Sequence, residues 1–272
     1  MLFGIVSDPH VAPPDAEPYI WHNQLELSRS IELLETALEW LRGQQIDTLA
    51  LLGDLTEAAD AESFAVVRDR ARSLNVPVIA VPGNCDVDSH DRSLTAFERM
   101  AEDGLSVAPA SLLMEDGSAV ELVGLAREPG SKRLTGVRAT SHSARVRTIL
   151  THYPILDLES ELIEAGFKHS GNLTNRAEIE ASLRASGAPK VVIHGHLHIH
   201  DARISGNLLH LSCGALIEPP HQVSTIDLSI DGGSITVERQ AHSVRTGDVE
   251  RLPVFAPGHA RWVWSDGMWR EQ

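Results

Sequence analysis

An α/β fold is the class this sequence predicts, on three observations. Runs of β-forming residues alternate with stretches of helical periodicity. Five of those runs stop at an acidic, amide or imidazole side chain, and the final third changes to short strands separated by turn residues. In chain order LFGIVSD ends at Asp8, TLALLGD at Asp54, VPVIAVPGN at Asn84, RTILTH at His152, and KVVIHGHLH at His196 and His198. Side chains at the carboxyl ends of strands in such sheets converge in one crevice. Asp8, His10, Asp54, Asn84, His152, His196 and His198 are therefore expected in a single site.

The connecting segments follow the same logic. Residues 23–43 carry Leu25, Leu27, Ile31, Leu34, Leu38 and Leu41 at largely helical spacing before Gly43, and 61–74 repeats the pattern. Residues 155–165 and 176–186, the latter before Gly187-Ala188-Pro189, read as two further helices around the polar link Lys168-His169-Ser170-Gly171-Asn172. After His198 the strands LLHLSCG, VSTIDLSI and SITVERQ suggest a second sheet, the last two joined by the Asp231-Gly232-Gly233 turn. In the tail, Trp262 and Trp264 fall on one face of a strand, and Asp266-Gly267 is a two-residue hairpin turn before Met268 and Trp269. The expected organisation is one domain over 1–240 with a β extension, 241–272, packed on it. Covering a sheet edge with the tryptophans is preferred to the alternative, a homodimer contact.

Composition narrows the partners. The 272 residues, 42% hydrophobic, suffice for one substantial core. The excess of 38 acidic over 23 basic residues, a formal −15, repels polyanions and argues against DNA or RNA polymers. Cys85 and Cys213 are too few for a disulfide framework, and there is no apolar run of membrane-spanning length, so a cytoplasmic protein without a membrane partner is expected. Against the acidic background Arg127, Lys132, Arg133, Arg138, Arg145 and Arg147 face only Glu128, in a stretch that Gly130 and Gly136 mark as a loop. It reads equally as a solvated loop or a substrate-binding one.

The order D-x-H, G-D, G-N, a lone His, then G-H-x-H resembles the calcineurin-like metallophosphoesterase superfamily. That resemblance implies a four-layer α/β/β/α sandwich, with two facing mixed sheets flanked by helices, over about residues 1–240. It also implies two divalent metal ions: one held by Asp8, His10, Asp54 and His198, the other by Asp54, Asn84, His152 and His196. Asp54 would bridge them, because one carboxylate offers two oxygens on a short side chain. Ions about 3.5–4 Å apart can share a hydroxide and clamp a phosphoryl oxygen. Manganese, iron, zinc, cobalt and nickel all suit such N/O donors. Taken singly, D-x-H or an isolated His152 would more often be a packed or surface feature than a ligand; five pieces in order at strand ends reverse that reading. His194 would face away from His196 and serve the core or support a ligand.

One position departs from the commoner G-N-H-D: Gly83-Asn84-Cys85-Asp86 lacks the histidine usually assigned to protonating the leaving group. Cys85 is either a small buried hydrophobe or a weak proton donor in its place. The catalytic set implied by the resemblance is Asp54, Asn84, Cys85 and His152. The opening Asp8-Pro9-His10 and the run Gly53-Asp54-Leu55-Thr56 look like the cyclic-nucleotide phosphodiesterase branch. A phosphodiesterase acting on a small diester is the resulting expectation. A phosphomonoesterase on nucleotides or small phosphates is the alternative, and a non-catalytic protein-binding scaffold the alternative from another class.

Overall fold

A computed structural model describes residues 1–87, 98, 110–113, 119–128, 130–135, 145–167, 171, 173–245 and 256–272. Arg138, Gly136, and residues 168–170 and 172 of the polar link lie outside these.

Two mixed sheets carry the fold. In the first, β1 (Leu2–Val6), β2 (Thr48–Leu51) and β3 (Val78–Ala80) run parallel. In the second, β4 (Ala110–Leu113) pairs antiparallel with β5 (Ala119–Arg127), which carries the two-residue β6 (Leu134–Thr135). β5, β7 (Val146–Thr151) and β8 (Lys190–His194) are parallel, followed by β10 (Leu208–Ser212) and the antiparallel edge β9 (Asp201–Ser205). β11 (Gln222–Asp231) returns antiparallel to β1, giving the first sheet the order β14-β13-β12-β11-β1-β2-β3, where β12 is Ser234–Ser243, β13 His259–Ser265 and β14 Met268–Glu271.

Alternating side chains make the layers. Phe3, Ile5, Ala50 and Leu52 of the first sheet meet Leu150, Val191, Ile193 and Leu209 of the second in one buried cluster. On the far side of the first sheet, Leu49 and Leu51 meet Leu34, Leu38 and Leu41 of α1 (Ser30–Gln44) and Phe64 and Val67 of α2 (Ala61–Arg72). The second sheet's outer face puts Ile149 and Val192 against Ile179 and Leu183 of a helix over Arg176–Arg184. The result is the four-layer sandwich with helices outside and sheets facing.

Three expectations are corrected. The first long helix begins at Ser30 rather than residue 23, because the amides of residues 21–26 are committed elsewhere: Leu25 N donates to Tyr19 O and Glu26 N to Ile217 O. Leu25 and Leu27 are buried all the same, so the apolar spacing continued through a turn and a short 3-10 helix, Leu27–Arg29, ahead of the α-helix. Within 155–165 only Glu159–Glu164 is helical, since Ile155 packs beneath the second sheet while Leu158 and Leu162 join a separate small cluster with Phe167. The second sheet does not begin after His198. It is assembled by β4, β5, β7 and β8, and the later strands divide, β9 and β10 completing it while β11 and β12 return to β1.

At the carboxyl terminus, Asp266 and Gly267 both have positive φ (52° and 78°), the turn that matches strand twist. Trp262 and Trp269 are buried in the inter-sheet cluster with Trp264 packed against it, and Trp269 Nε1 donates to Asn207 O at 3.1 Å. Among the described residues no helix is long and apolar enough to cross a membrane.

Candidate metal centre

The loops leaving β1 and β2 stay paired beyond the strands: Asp8 N donates to Gly53 O (3.2 Å), His10 N to Asp54 O (2.9 Å) and Val11 N to Leu55 O (3.0 Å). That pairing sets Asp8, His10 and Asp54 side by side. Asp86 accepts from the amides of Gly83, Leu55 and Thr56, tying the loop that bears Asn84 and Cys85 to the same corner. These residues come from the first sheet; His152, after β7, and His196 and His198, after β8, come from the second.

Asp8, His10, Asp54, His196 and His198 all have left-handed backbone, with φ of 42° to 68°. Such residues cost about 1–3 kcal/mol each and persist where function demands the geometry. Close approach requires glycine beside them. A Cβ at Gly195 would strike Ser7 and Asp8, and one at Gly83 would strike Asp54.

Ligand atoms gather in three groups, each within 4.8 Å: Asp8 with His10 and His198, Asp54 with His152 and His196, and His10 with Glu57 and Cys85. Asp54 Oδ2 joins the first two, 3.6 Å from His10 Nε2 and 3.3 Å from His152 Nε2. His198 Nε2 is 3.3 Å from Asp8 Oδ1, and His196 Nδ1 is 3.1 Å from His152 Nε2. The outer nitrogens of three rings are engaged. His10 Nδ1 donates to Glu57 Oε2 (2.7 Å), His152 Nδ1 to Leu52 O (2.8 Å) and His198 Nδ1 to Glu218 Oε1 (2.8 Å). Each bond orients its ring so that the other nitrogen faces inward, where it can ligate a cation once deprotonated.

These residues fit a pair of cations. His10 Nε2 and Asn84 Oδ1 are buried and have no hydrogen-bond partner among the described residues, a costly state that a cation would relieve. The electrostatics agree. Burial pushes Asp54 upward, but His152, His10 and His196 outweigh it and hold the carboxyl far below the usual range. Asp8 is lowered to about 2, its neighbours His198 and His152 overcoming burial. Reciprocally, Asp54 raises His152 to about 9 and Asp8 raises His198 to about 10, both against desolvation. Enough negative charge faces this corner to draw cations into it.

The remaining residues fall in place around it. Cys85 N donates to Asp54 Oδ1 at 2.8 Å, while its thiol accepts from Asn84 Nδ2 at 3.3 Å. Burial and Asp54 push that thiol well above its usual range. Burial and Asp54 likewise raise Asp86 to about 6, against its three amide donors. His194 stands apart with its ring 4.9 Å from His210. Of the basic stretch, the Arg127 guanidinium lies 5.1 Å from the ring of Tyr153, which packs on His152 and His196; Arg133 pairs at the surface with Glu178 (3.3 Å). Sequence reasoning missed Glu57, Glu218, Tyr19 and Trp21. Glu57 stands three residues past Asp54 and could have been suspected as the acid that orients His10; the others reach the site only through tertiary contact.

The family model of the calcineurin-like phosphoesterase superfamily domain matches residues 1–231. The chain belongs to this superfamily. No curated protein matches the sequence. Among solved structures, a dimetal phosphatase from Danio rerio is similar with a TM-score of 0.64 at 16% identity, covering 90% of this chain and 96% of that one. A protein from Thermus thermophilus aligns with a TM-score of 0.53 at 12% identity over 90% and 99% of the two chains. GAP50, the anchor in the inner membrane complex of Plasmodium, aligns at 0.54 and 10% identity over 92% and 87%. At these identities the likeness is one of fold. Superfamily membership makes the chain a metal-dependent phosphoesterase, and its candidate ligands form the groups described above.

Proposed function

We propose that the chain is a two-metal phosphodiesterase hydrolysing a small phosphodiester. The observation that carries this reading is the meeting of two ligand groups at Asp54, with the outer nitrogens of His10, His152 and His198 already engaged. Asp8, His10, Asp54 and His198 would hold one divalent ion, and Asp54, Asn84, His152 and His196 the other. Such a pair, when bound, supplies a nucleophile at neutral pH and neutralises phosphoryl charge. The protein's own part is positional. Cys85 N and the neighbouring imidazoles keep Asp54 ionised and fixed, and Glu57 and Glu218 keep two rings pointing inward.

The preference for a diester rests on the lining of the pocket. His10, Asp54, Asn84, Cys85, His196 and His198 floor it, with Tyr19, Trp21 and Leu25 as walls, and no Lys or Arg contributes among the described residues. A monoester dianion brings one more negative charge than a diester, and no Lys or Arg among the described lining residues receives it. Nor does the thiol of Cys85, raised by burial, suit the delivery of a proton to an alkoxide. The scaffold alternative is disfavoured by the completeness of the ligand set. Manganese, iron, zinc, cobalt and nickel all fit these donors. Two free cysteines are in keeping with a cytoplasmic protein.

The test is a side-by-side assay of an aryl phosphodiester, an aryl phosphomonoester and cyclic nucleotides, each metal being added back to stripped protein. Faster turnover of the diesters is expected. A monoester preference of tenfold or more would overturn the reading.

A further inference from the structure

Between His10 and α1 the chain brings three large apolar side chains to the rim of the metal centre, and none has a part in the chemistry above. Their backbone is fixed. Leu25 N donates to Tyr19 O (2.9 Å), Trp21 N to Asn23 O (3.0 Å), and Ile20 and Gln24 form an antiparallel bridge. The turn is also tied to the site, because His22 N (3.3 Å) and Asn23 N (2.8 Å) donate to Glu218 Oε2, and Asn23 Nδ2 to Pro219 O (3.1 Å).

This rigid turn holds aromatic surface over the centre. The Trp21 ring lies 5.6 Å from that of His198, tilted by 38°, and Trp21 and Tyr19 both line the pocket. The Tyr19 hydroxyl is 3.5 Å from Glu57 Oε2, the oxygen that holds His10. Tyr19 is 40% exposed and Ile20 71%, two consecutive large apolar side chains left in water. A single exposed apolar residue means little, but grouped ones on a fixed backbone beside a site mark a contact surface for a ligand. Among the described residues no Lys or Arg lines the pocket, so this surface is not built for a further anion, and two aromatic walls suit a flat group.

We propose that Tyr19 and Trp21 form a platform for a planar ring on the non-leaving group of the phosphodiester, an aryl group or a nucleobase, so that diesters with such a ring are preferred to those with an alkyl group there. This rests on the phosphodiesterase reading and names its substrate class. Stacking on an aromatic side chain needs no particular hydrogen-bonding edge, and an electron-poor ring gains most from the negative faces of indole and phenol. Fixed in advance, the platform loses little conformational freedom when the ring arrives.

Three diesters with the same nitrophenolate leaving group test it on the metal-loaded protein: p-nitrophenyl methyl phosphate, bis(p-nitrophenyl) phosphate and thymidine 5′-(p-nitrophenyl) phosphate. The two esters that carry a second ring, on the group that stays on phosphorus, should show kcat/KM about tenfold above the methyl ester, mainly through KM, in line with one stacking contact. A preference confined to the thymidine ester assigns the ring to a nucleobase, and one shown by the bis ester alone assigns it to a simple aryl group. Trp21→Leu and, independently, the more exposed Tyr19→Leu should reduce that ratio several-fold. Calorimetric titration with phenylphosphonate and methylphosphonate gives a readout free of turnover, with the phenyl compound binding about tenfold more tightly to the wild type and the advantage shrinking in both variants. Equal kcat/KM on all three esters, or equal binding of the two phosphonates, overturns the platform and leaves the phosphodiesterase reading intact. Failure to hydrolyse any diester while both phosphonates bind overturns that reading, and their affinity ratio then decides the platform alone.

Discussion

Glu218 serves His198 with one carboxylate oxygen and the turn at His22 and Asn23 with the other: Oε1 is 2.8 Å from His198 Nδ1, and Oε2 accepts both backbone amides. A single side chain therefore orients a candidate metal ligand and anchors the aromatic turn. Glu218→Gln keeps one acceptor and gains a donor, so one of these contacts must be lost. We expect metal affinity to fall by about 10–100-fold, the usual loss when such a partner of a ligating histidine is altered. Titration of stripped protein with manganese measures it, and an unchanged affinity would show that His198 needs no such support.

Asp54 should be the least replaceable ligand, since both groups meet there. Asp54→Asn is expected to remove most activity and lower the bound metal while the fold persists by circular dichroism. His198→Ala and His196→Ala should lose different ions, and anomalous scattering that shows the same ion missing from both would contradict the assignment of the two sets.

Cys85 makes the leaving group decisive. With no imidazole at this position, rates should fall steeply as the leaving group becomes more basic. Cys85→His should flatten that dependence, with a gain of up to ~10²–10⁴-fold on alkoxide leaving groups if the ring can act as a general acid. Cys85→Ser, which preserves the amide to Asp54, should match the wild type. A large loss in the serine variant would give the thiol a role that its raised pKa argues against.

His210 should make the fold acid-sensitive. Buried in β10 beside His194 and Arg176, it is held well below its ordinary pKa by burial first and those positive neighbours second. At this group the folded state thus binds fewer protons than the unfolded chain once pH drops below about 6.5. Stability is retained above that value and declines below it, by up to about 1.4 kcal/mol per pH unit until the folded group itself protonates. Urea midpoints at pH 7.5 and 5.5 for wild type and His210→Gln check this: the variant should lose less on acidification, and equal losses would remove His210 as a source.

The parts of this architecture legible in the sequence were those encoded locally. Asp8, Asp54, Asn84, His152 and His196 each follow a run of β-formers, and a strand end is a short-range signal. Leu25 and Leu27 misled because burial in a turn and burial on a helix face leave the same apolar spacing; what separates them is the pairing of Glu26 N with Ile217 O, more than half the chain away. Glu218 and Trp21 were silent for the same reason. Nothing near either residue signals a ligand, and their relation to His198 exists only once the chain has returned from β10. The second sheet was misassigned because VSTIDLSI reads alike whether its neighbour is β1 or β10.

Asp8, His10, Asp54 and Asn84 descend from one sheet, His152, His196 and His198 from the other. Ions held between them would rivet the two halves of the sandwich at one end, much as the hydrophobic cluster glues them along the middle. Folding and loading then become linked equilibria: at a free metal concentration one hundred times the dissociation constant, each bound ion adds about 2.7 kcal/mol to the native state. The melting temperature of this protein would consequently report the metal supply around it, and the chain would be sturdiest when ready to act.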